Sequence, residues 1–384
     1  MKNIAIVGTG NISQTHISGL LELRERCKIV ALTDIVPNKA EEKNERYGLQ
    51  AKVFASHEQM LDSGLDIDLV HICTPPYVHA SIAIDCMNRG VNVLVEKPMA
   101  TCIKECNEML KAEKRNGVVM SIIAQNRYRQ SIHNLKTLAE GGLAGKIRVA
   151  HVNSFWWRGH CYYDLWWRGL WEKEGGGPTL NHAVHHIDMI NWIQNQLPNE
   201  VTSVLANVMH DNSEVEDLSF AILSYGDGSI ASVTSSVVHH GEEQGIELHC
   251  EKAKIAAPFD CKASKSLPNG FPEDNPHLVD EINKANDAIP KLVYEGHTGQ
   301  FDNVLTSLEL GQRPQVTGVD GKMAVELITA IYKAGFIKRT IELPIKENDD
   351  FYTFDGILKN VKKFYKKANS VEGFENESIS LGRY

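Results

Sequence analysis

"IAIVGTGNISQTH", residues 4–16, runs four apolar residues into a G-x-G turn and then into helical spacing. Its reading decides the fold. Ile4, Ala5, Ile6 and Val7 suit a buried strand of a parallel sheet. Gly8 and Gly10 follow directly, and Ser13 stands where the dinucleotide-binding fingerprint has its third glycine. Glycines at the first two positions let the backbone approach a pyrophosphate, whose charge the next helix N-terminus stabilises. The third glycine serves helix–strand packing, so serine is tolerable there. Asn11 and Ile12 open the helix and join the candidate cofactor residues. Asp34 closes the next strand about 20 residues further on, where a carboxylate accepts from ribose hydroxyls and repels a 2′-phosphate. That favours NAD over NADP.

Working outward, apolar strands read at 3–7, 28–33, 67–72, 91–95 and 118–123, with helical patterns at about 12–24, 37–47, 77–88 and 101–115. This alternation predicts a parallel sheet with helices on both faces, whose ligands sit beyond the strands' carboxyl ends. From about residue 145 the pattern changes: a strand, an aromatic-rich loop and a helix near 180–195 precede strands near 200–210, 216–225, 229–238 and 244–251. Consecutive strands with short turns predict an antiparallel sheet. The expected fold is an α/β Rossmann N-terminal domain plus an α+β C-terminal domain with a large open, mainly antiparallel sheet. The expected boundaries are 1–125 for cofactor binding, 126–344 for substrate binding and oligomerisation, and 345–384 for a tail. Residues 258–292 read as an insertion or lid-like loop, and helices return near 298–310 and 320–337. In the tail, Phe354, Leu358, Val361 and Tyr365 predict an amphipathic helix over 354–367 that packs on this chain or on a sister subunit.

Composition removes several function classes. A net charge of −9 leaves no basic excess for nucleic-acid phosphates. No apolar run approaches the roughly 18 residues of a membrane span. The N-terminus lacks signal-peptide zones, so a cytoplasmic location is expected. The eight cysteines form no C-x-x-C pair, so neither a zinc site nor a disulfide framework is expected.

Three further stretches carry candidate chemistry. "HICTPPYVH", 71–79, ends a strand on Thr74, Pro75 and Pro76, and its Thr74, Pro75 and His79 could face a cofactor. "VNVLVEKPMA", 91–100, runs a buried strand straight into Glu96, Lys97 and Pro98. The triplet Gly175-Gly176-Gly177 precedes "PTLNHAVHHIDMI", in which Asn181 and His185 are four apart and share one helix face. The "HAVHH" run lacks a carboxylate–cysteine cluster, so no metal is expected. The loop "FWWRGHCYYDLWWRGLWEKEGGG", 155–177, offers aromatic faces for sugar C–H surfaces, with Arg158, His160, Tyr163 and Arg168 to read hydroxyls.

Together, "GTGNISQTH", Asp34, "CTPPYVHASIA", "VLVEKPMA", "EGGGPTLNHAVHHIDMINW" and "GQRPQVTGVDGKMAVELITAIYKAG" resemble the glucose–fructose oxidoreductase/inositol dehydrogenase/MocA (Gfo/Idh/MocA) family. The resemblance spans residues 1 to about 344, and the tail lies outside it. It implies that Lys97 reaches the nicotinamide beside the reacting hydroxyl, that the lysine–proline peptide is cis, and that Glu96 orients the local backbone or the cofactor. It also implies that Asn181 and His185 reach the sugar. The family's usual aspartate is Asn181 here, which can hydrogen-bond a hydroxyl but holds no charge. Arg127 and His297 lie in regions that border the substrate cleft in similar proteins, and Asn126 joins the candidate cofactor residues.

Oxidising a secondary alcohol needs a proton acceptor, and both histidine and lysine can serve. His185 as acid/base with Lys97 as electrostatic partner is the preferred assignment. The implied activity is an NAD-dependent sugar, glycoside or cyclitol dehydrogenase, with the C3 hydroxyl of a pyranoside suggested by the aromatic loop. Alternatives are a redox glycosidase that uses NAD transiently, and a non-catalytic sugar or NAD sensor. A homodimer or homotetramer is expected through the open sheet.

Overall fold

The short β-branched runs become strands and the amphipathic stretches between them become helices. The computed structural model describes residues 1–372. In chain order it begins β1 (Lys2–Val7), α1 (Asn11–Glu22), β2 (Cys27–Thr33), α2 (Pro37–Tyr47), β3 (Lys52–Phe54) and α3 (His57–Asp62). Then come β4 (Leu69–Ile72), α4 (His79–Asn88), β5 (Asn92–Val95), α5 (Ile103–Asn116), β6 (Met120–Ile122) and α6 (Gln130–Gly141). β7 (Ile147–Phe155), α7 (Trp171–Glu174), α8 (Pro178–Asn181), α9 (Val184–Gln194), β8 (Glu200–Ala206), β9 (Leu218–Ser224) and β10 (Ile230–Ser236) follow. The chain continues through β11 (Gln244–Cys250), β12 (Ala253–Ala257), β13 (Asp260–Ser266), β14 (Pro272–Asp274) and α10 (Pro276–Asp287). It ends with α11 (Gly296–Leu310), α12 (Gly318–Ile337), β15 (Ile341–Glu342) and α13 (Phe354–Asn360).

Two compact units result: Met1–Tyr128 with Leu292–Val325, and Arg129–Lys291 with Glu326 onward. The first holds a six-stranded sheet of order β3-β2-β1-β4-β5-β6, parallel throughout. Chain order reverses between β1 and β4, and at such a switch point the carboxyl ends of the strands open a crevice for ligand. Ile4, Ile6, Leu32 and Leu94 from the sheet pack with Ile17 and Leu20 of α1 and Phe301 and Val304 of α11. The second unit holds a nine-stranded sheet of order β14-β13-β12-β11-β7-β10-β9-β8-β15. Among the described residues, only β7 and β10 pair in parallel within it. No helix of the described residues is long and apolar enough to cross a membrane.

The structure departs from the sequence reading in several places. β3 and α3 were not anticipated, because three and six residues are too short to show a period. The stretch expected as a lid-like loop at 258–292 instead builds β13, β14 and α10 and widens the sheet. The single domain expected over 126–344 is divided, since residues 292–325 return to the first unit. There Gly19 lets Phe301 approach α1, with a Cβ at Gly19 falling 2.9 Å from its ring. The Gln300 side chain accepts from the Ala124 N–H at 2.9 Å and donates to the Ile122 carbonyl at 2.7 Å. The tail helix stops at Asn360 rather than 367. Beyond it the backbone N–H groups of Phe364 and Tyr365 bond the carbonyls of Glu214 and Ser213, and Val371 pairs with Leu165. These tertiary bonds displace the helical ones, and Ile357, outside the expected stripe, is the residue buried. The rest of the expected tail, residues 373–384, lies outside the described residues. Finally, the helix expected over 180–195 breaks at His182–Ala183.

Candidate active site

The end of β1 places Gly8 at φ 92°. A Cβ there would lie 2.8 Å from the Cys73 carbonyl at the end of β4, so only glycine lets the turn pass. At Gly10, the N-cap of α1, a Cβ would meet nothing within 4 Å. The cap has no side-chain hydrogen bond and the first turn no acidic residue, which leaves the helix dipole to an anion. Ser13 is buried, and its hydroxyl donates to the Gly10 carbonyl at 2.6 Å, so the serine is satisfied where the fingerprint has glycine. Past β2, Asp34 Oδ2 accepts from the N–H and the hydroxyl of Thr9, both at 2.8 Å, and Oδ1 accepts from the Val36 N–H at 2.9 Å. The buried Thr74 hydroxyl beside this turn has no partner among the described residues. An open glycine cradle, an uncapped helix start and an orphan hydroxyl fit the pyrophosphate of a dinucleotide.

At the end of β5 the chain turns through Glu96, Lys97 and Pro98, and the Lys97–Pro98 peptide is cis. Lys97 is half-buried and Glu96 buried. Glu96 Oε1 meets His16 Nε2 at 2.9 Å, while Oε2 accepts the Lys97 N–H at 3.1 Å. Burial would raise this carboxyl, but the hydrogen bond from His16 and the attraction of His297 and Lys97 bring its pKa to about 2. A fixed carboxylate therefore stands directly behind Lys97.

Several expected site residues prove to be committed elsewhere. His79 is fully buried, and its two ring nitrogens lie 2.9 Å and 2.8 Å from the carbonyls of Pro98 and Thr74. It ties the β4 and β5 turns together and leaves no ring nitrogen for a cofactor, which corrects the expectation. Arg127 is 2% exposed and bonds Asp320 at 3.0 Å, so it is a buried ion pair rather than a surface that reads substrate. Asn126 is buried beside it. His297 is half-buried, with Nε2 3.9 Å from Glu96.

In the second unit the aromatic loop stacks on its own arginines. The Arg168 guanidinium lies 4.1 Å and 4.2 Å from the ring centroids of Tyr162 and Trp167 and bonds Glu174 at 2.8 Å. Arg158 packs over Trp156 and Tyr162 and pairs with Glu242. Tyr163 is 1% exposed and so offers a substrate no surface. His160 remains exposed, paired with Asp211 at 2.6 Å.

The glycine triplet is clamped from beneath by Glu216, which the sequence reading missed. Its Oε2 accepts from the Gly177 N–H at 3.1 Å, and Oε1 accepts from the Thr179 N–H at 3.1 Å and the Tyr332 hydroxyl at 3.0 Å. Asn181 and His185 fall on α8 and α9 rather than on one helix face. The Asn181 amide donates back to the carbonyls of Gly176 and Gly177 at 2.8 Å and 3.3 Å, closing the turn. His185 is half-buried, whereas His186 and Asp188 face the core. Burial pushes His186 down to about 3.

Burial also pushes the Glu216 carboxyl up to about 7, against the hydrogen bonds it accepts. The folded chain then holds a proton that the unfolded chain, near 4.5, has released. Stability is present below the lower value and is lost as pH rises towards the higher one, by on the order of 3 kcal/mol. Glu216→Gln is expected to flatten that slope when unfolding free energy is compared at roughly pH 5 and pH 8. An unchanged slope would place its origin in another group.

His16, His71 and Glu216 are buried polar residues that the sequence reading passed over. One signal was available: His71 interrupts the apolar strand "LVHI", and a polar residue in a buried strand requires a partner.

Two family models match the chain. One, described as an oxidoreductase family with an NAD-binding Rossmann fold, covers residues 2–123, and the GFO/IDH/MocA C-terminal domain covers 132–256. A myo-inositol 2-dehydrogenase of Thermotoga maritima is 23% identical over 88% of this chain and 98% of its own. A 2,7-anhydro-N-acetylneuraminate hydratase of Mediterraneibacter gnavus is 25% identical over 81% and 80%. The solved WlbA dehydrogenase from Bordetella pertussis, in complex with NADH and UDP-GlcNAcA, is 28% identical, with TM-score 0.77 over 90% of this chain and 98% of that one.

Proposed function

The chain belongs to the Gfo/Idh/MocA oxidoreductases, and on that premise we propose that it oxidises a secondary hydroxyl of a sugar, glycoside or cyclitol with NAD as acceptor. The observation that carries this reading is the half-buried Lys97 at the carboxyl end of β5, with the ionised Glu96 accepting its backbone N–H. When bound, NAD takes up the hydride. Gly8, Gly10 and the first residues of α1, Asn11 and Ile12, hold the pyrophosphate, and Thr74 adds its hydroxyl. Asp34 reads the adenosine ribose. Lys97 donates a hydrogen bond to the reacting oxygen, and His185 takes its proton. Asn181 keeps the turn that carries His185 closed. A relative named as a myo-inositol dehydrogenase and a solved relative bound to UDP-GlcNAcA support a polyhydroxylated substrate.

Asp34→Ala is expected to weaken NAD binding roughly ten-fold or more and to narrow the preference over NADP, because a carboxylate acceptor is lost and a repulsion removed. Dissociation constants for both cofactors check this, and an unchanged ratio would mean the ribose is read elsewhere. The outward face of the second sheet exposes Val204, Phe220, Ile222 and Ile230 on neighbouring strands, which supports pairing with a second copy.

A panel of sugars, glycosides, inositols and nucleotide-linked sugars with NAD, followed by absorbance of reduced nicotinamide, tests the activity. The relative named as a hydratase favours one second reading, transient oxidation without net reduced cofactor. Product formation with no accumulating NADH would select that reading, and no turnover on any polyol would sink both.

A further inference from the structure

Behind Lys97 lies a buried run of ionisable side chains drawn from four separate segments, and no step of the proposed reaction employs it. His71 Nδ1 on β4 stands 2.9 Å from His16 Nδ1 on α1. His16 Nε2 stands 2.9 Å from Glu96 Oε1, and the other Glu96 oxygen accepts the Lys97 N–H at 3.1 Å. His297 of α11 approaches the same carboxylate at 3.9 Å. His16 and His71 are fully buried, and both rings pack on Phe301, with centroids 5.0 Å and 4.8 Å away.

The direction of the hydrogen bonds follows from one orphan atom. His71 Nε2 is buried with no partner among the described residues. A proton there would be an unpaired buried donor, the costlier kind of orphan. The His71 proton therefore sits on Nδ1 and is donated to His16 Nδ1. Burial keeps His71 neutral, its pKa held well below the usual histidine value. With Nδ1 accepting, His16 carries its own proton on Nε2 and donates it to Glu96. The relay runs one way and ends on the carboxylate that holds the lysine's backbone.

We propose that His16 is a positioning residue for Lys97: oriented by His71, it fixes the Glu96 carboxylate in its anionic form behind the lysine and thereby keeps Lys97 an ammonium. This rests on the dehydrogenase reading and deepens it. An ammonium donates to the reacting oxygen but cannot take its proton, so the base is the histidine, His185. The groups facing Glu96 are His16, Cys73 at the end of β4, His79 of α4, His297 and Lys97, with His71 behind His16.

The test compares His16→Leu with His16→Gln, whose amide N–H can still reach the carboxylate. In His16→Leu the buried carboxyl loses its donor and takes up a proton. The alkaline limb of the kcat/KM profile should then move down by about one pH unit or more as Lys97 loses its countercharge. kcat should fall roughly ten-fold with little change in KM or in NAD affinity, and His16→Gln should restore most of it. A wild-type profile in His16→Leu, or equal damage in both variants, would overturn the assignment and leave the ring a packing residue. Stoichiometric zinc bound by the wild type and lost in His16→Gln would also overturn it, since His16, Glu96 and His297 place one ligand atom each within 4.8 Å.

A second readout needs no substrate. The depressed Glu96 pKa contributes stability present above about 4.5 and lost as pH falls towards 2. His16→Leu should therefore raise the acid-unfolding midpoint, and His16→Gln should return it. No shift in His16→Leu would overturn the relay itself. A shift in a protein that turns over no alcohol would uphold the relay and sink the dehydrogenase reading alone.

Discussion

Lys97→Ala should lower kcat by roughly 10²–10⁴-fold while NAD still binds measurably. The change removes the ammonium but leaves the turn that presents it. Glu96 holds this turn through the Lys97 backbone N–H, which alanine keeps, and Pro98 is untouched. The glycine turn and Asp34, which serve the cofactor in the proposed function, lie elsewhere in the unit. Lys97→Met, which retains the aliphatic stem, should be as inactive as the alanine variant if charge rather than bulk matters. Steady-state turnover on the best alcohol of the panel, with cofactor titrated by fluorescence, measures both halves. Turnover near that of the wild type in either variant would remove Lys97 from the chemistry.

Gly177→Ala should be a strongly damaging single-methyl change in the second unit. A Cβ at this position would fall 2.0 Å from the Glu216 carbonyl oxygen and 2.9 Å from its carboxyl carbon. The first of these is backbone in a buried segment, so no side-chain rotation relieves the clash. The Gly177 N–H is also one of the donors that Glu216 accepts, and any shift of the turn stretches that bond. Overpacking of this kind costs about 2–4 kcal/mol. Because the turn leads into Asn181 and His185, lost stability should come with lost turnover. Gly159→Ala is the matched control in the neighbouring loop, where the added carbon would meet Trp157 at an ordinary 3.6 Å. Denaturant unfolding of the three proteins decides the matter, and equal stability of the two variants would refute the clamp.

Much of the cofactor half was legible because its signals are local. A strand, two glycines and a carboxylate on the next strand are each read within a few residues, and the structure places them together at the Gly8–Thr9–Asp34 turn. The pairings of Arg158 and Arg168 were not legible. An arginine in an aromatic loop has the same local appearance whether it reads a sugar or pairs with Glu242 or Glu174, and those acids lie at unrelated separations in sequence. The same holds for His79, whose two carbonyl partners come from different turns. Glu216 was invisible for a related reason: a glutamate in the loop before a strand gives no hint that it will be sealed beneath a turn some forty residues earlier. A long separation also explains the tail, where backbone bonds to 213–214 outweigh a helical pattern that was plain in the residues themselves.

The return of α11 to the first unit sets an order on biosynthesis. Phe301 fills the core between sheet and helix, and Gln300 bonds the backbone at Ile122 and Ala124, yet both are translated long after Tyr128. At about 5–20 residues per second, the nascent nucleotide-binding half waits roughly ten to thirty seconds for its last buried helix. During that interval Ile17, Leu20 and the histidine pair of α1 and β4 lack their cover on the growing polypeptide. The ribosome thus releases a chain whose first-made portion is among the later parts to close.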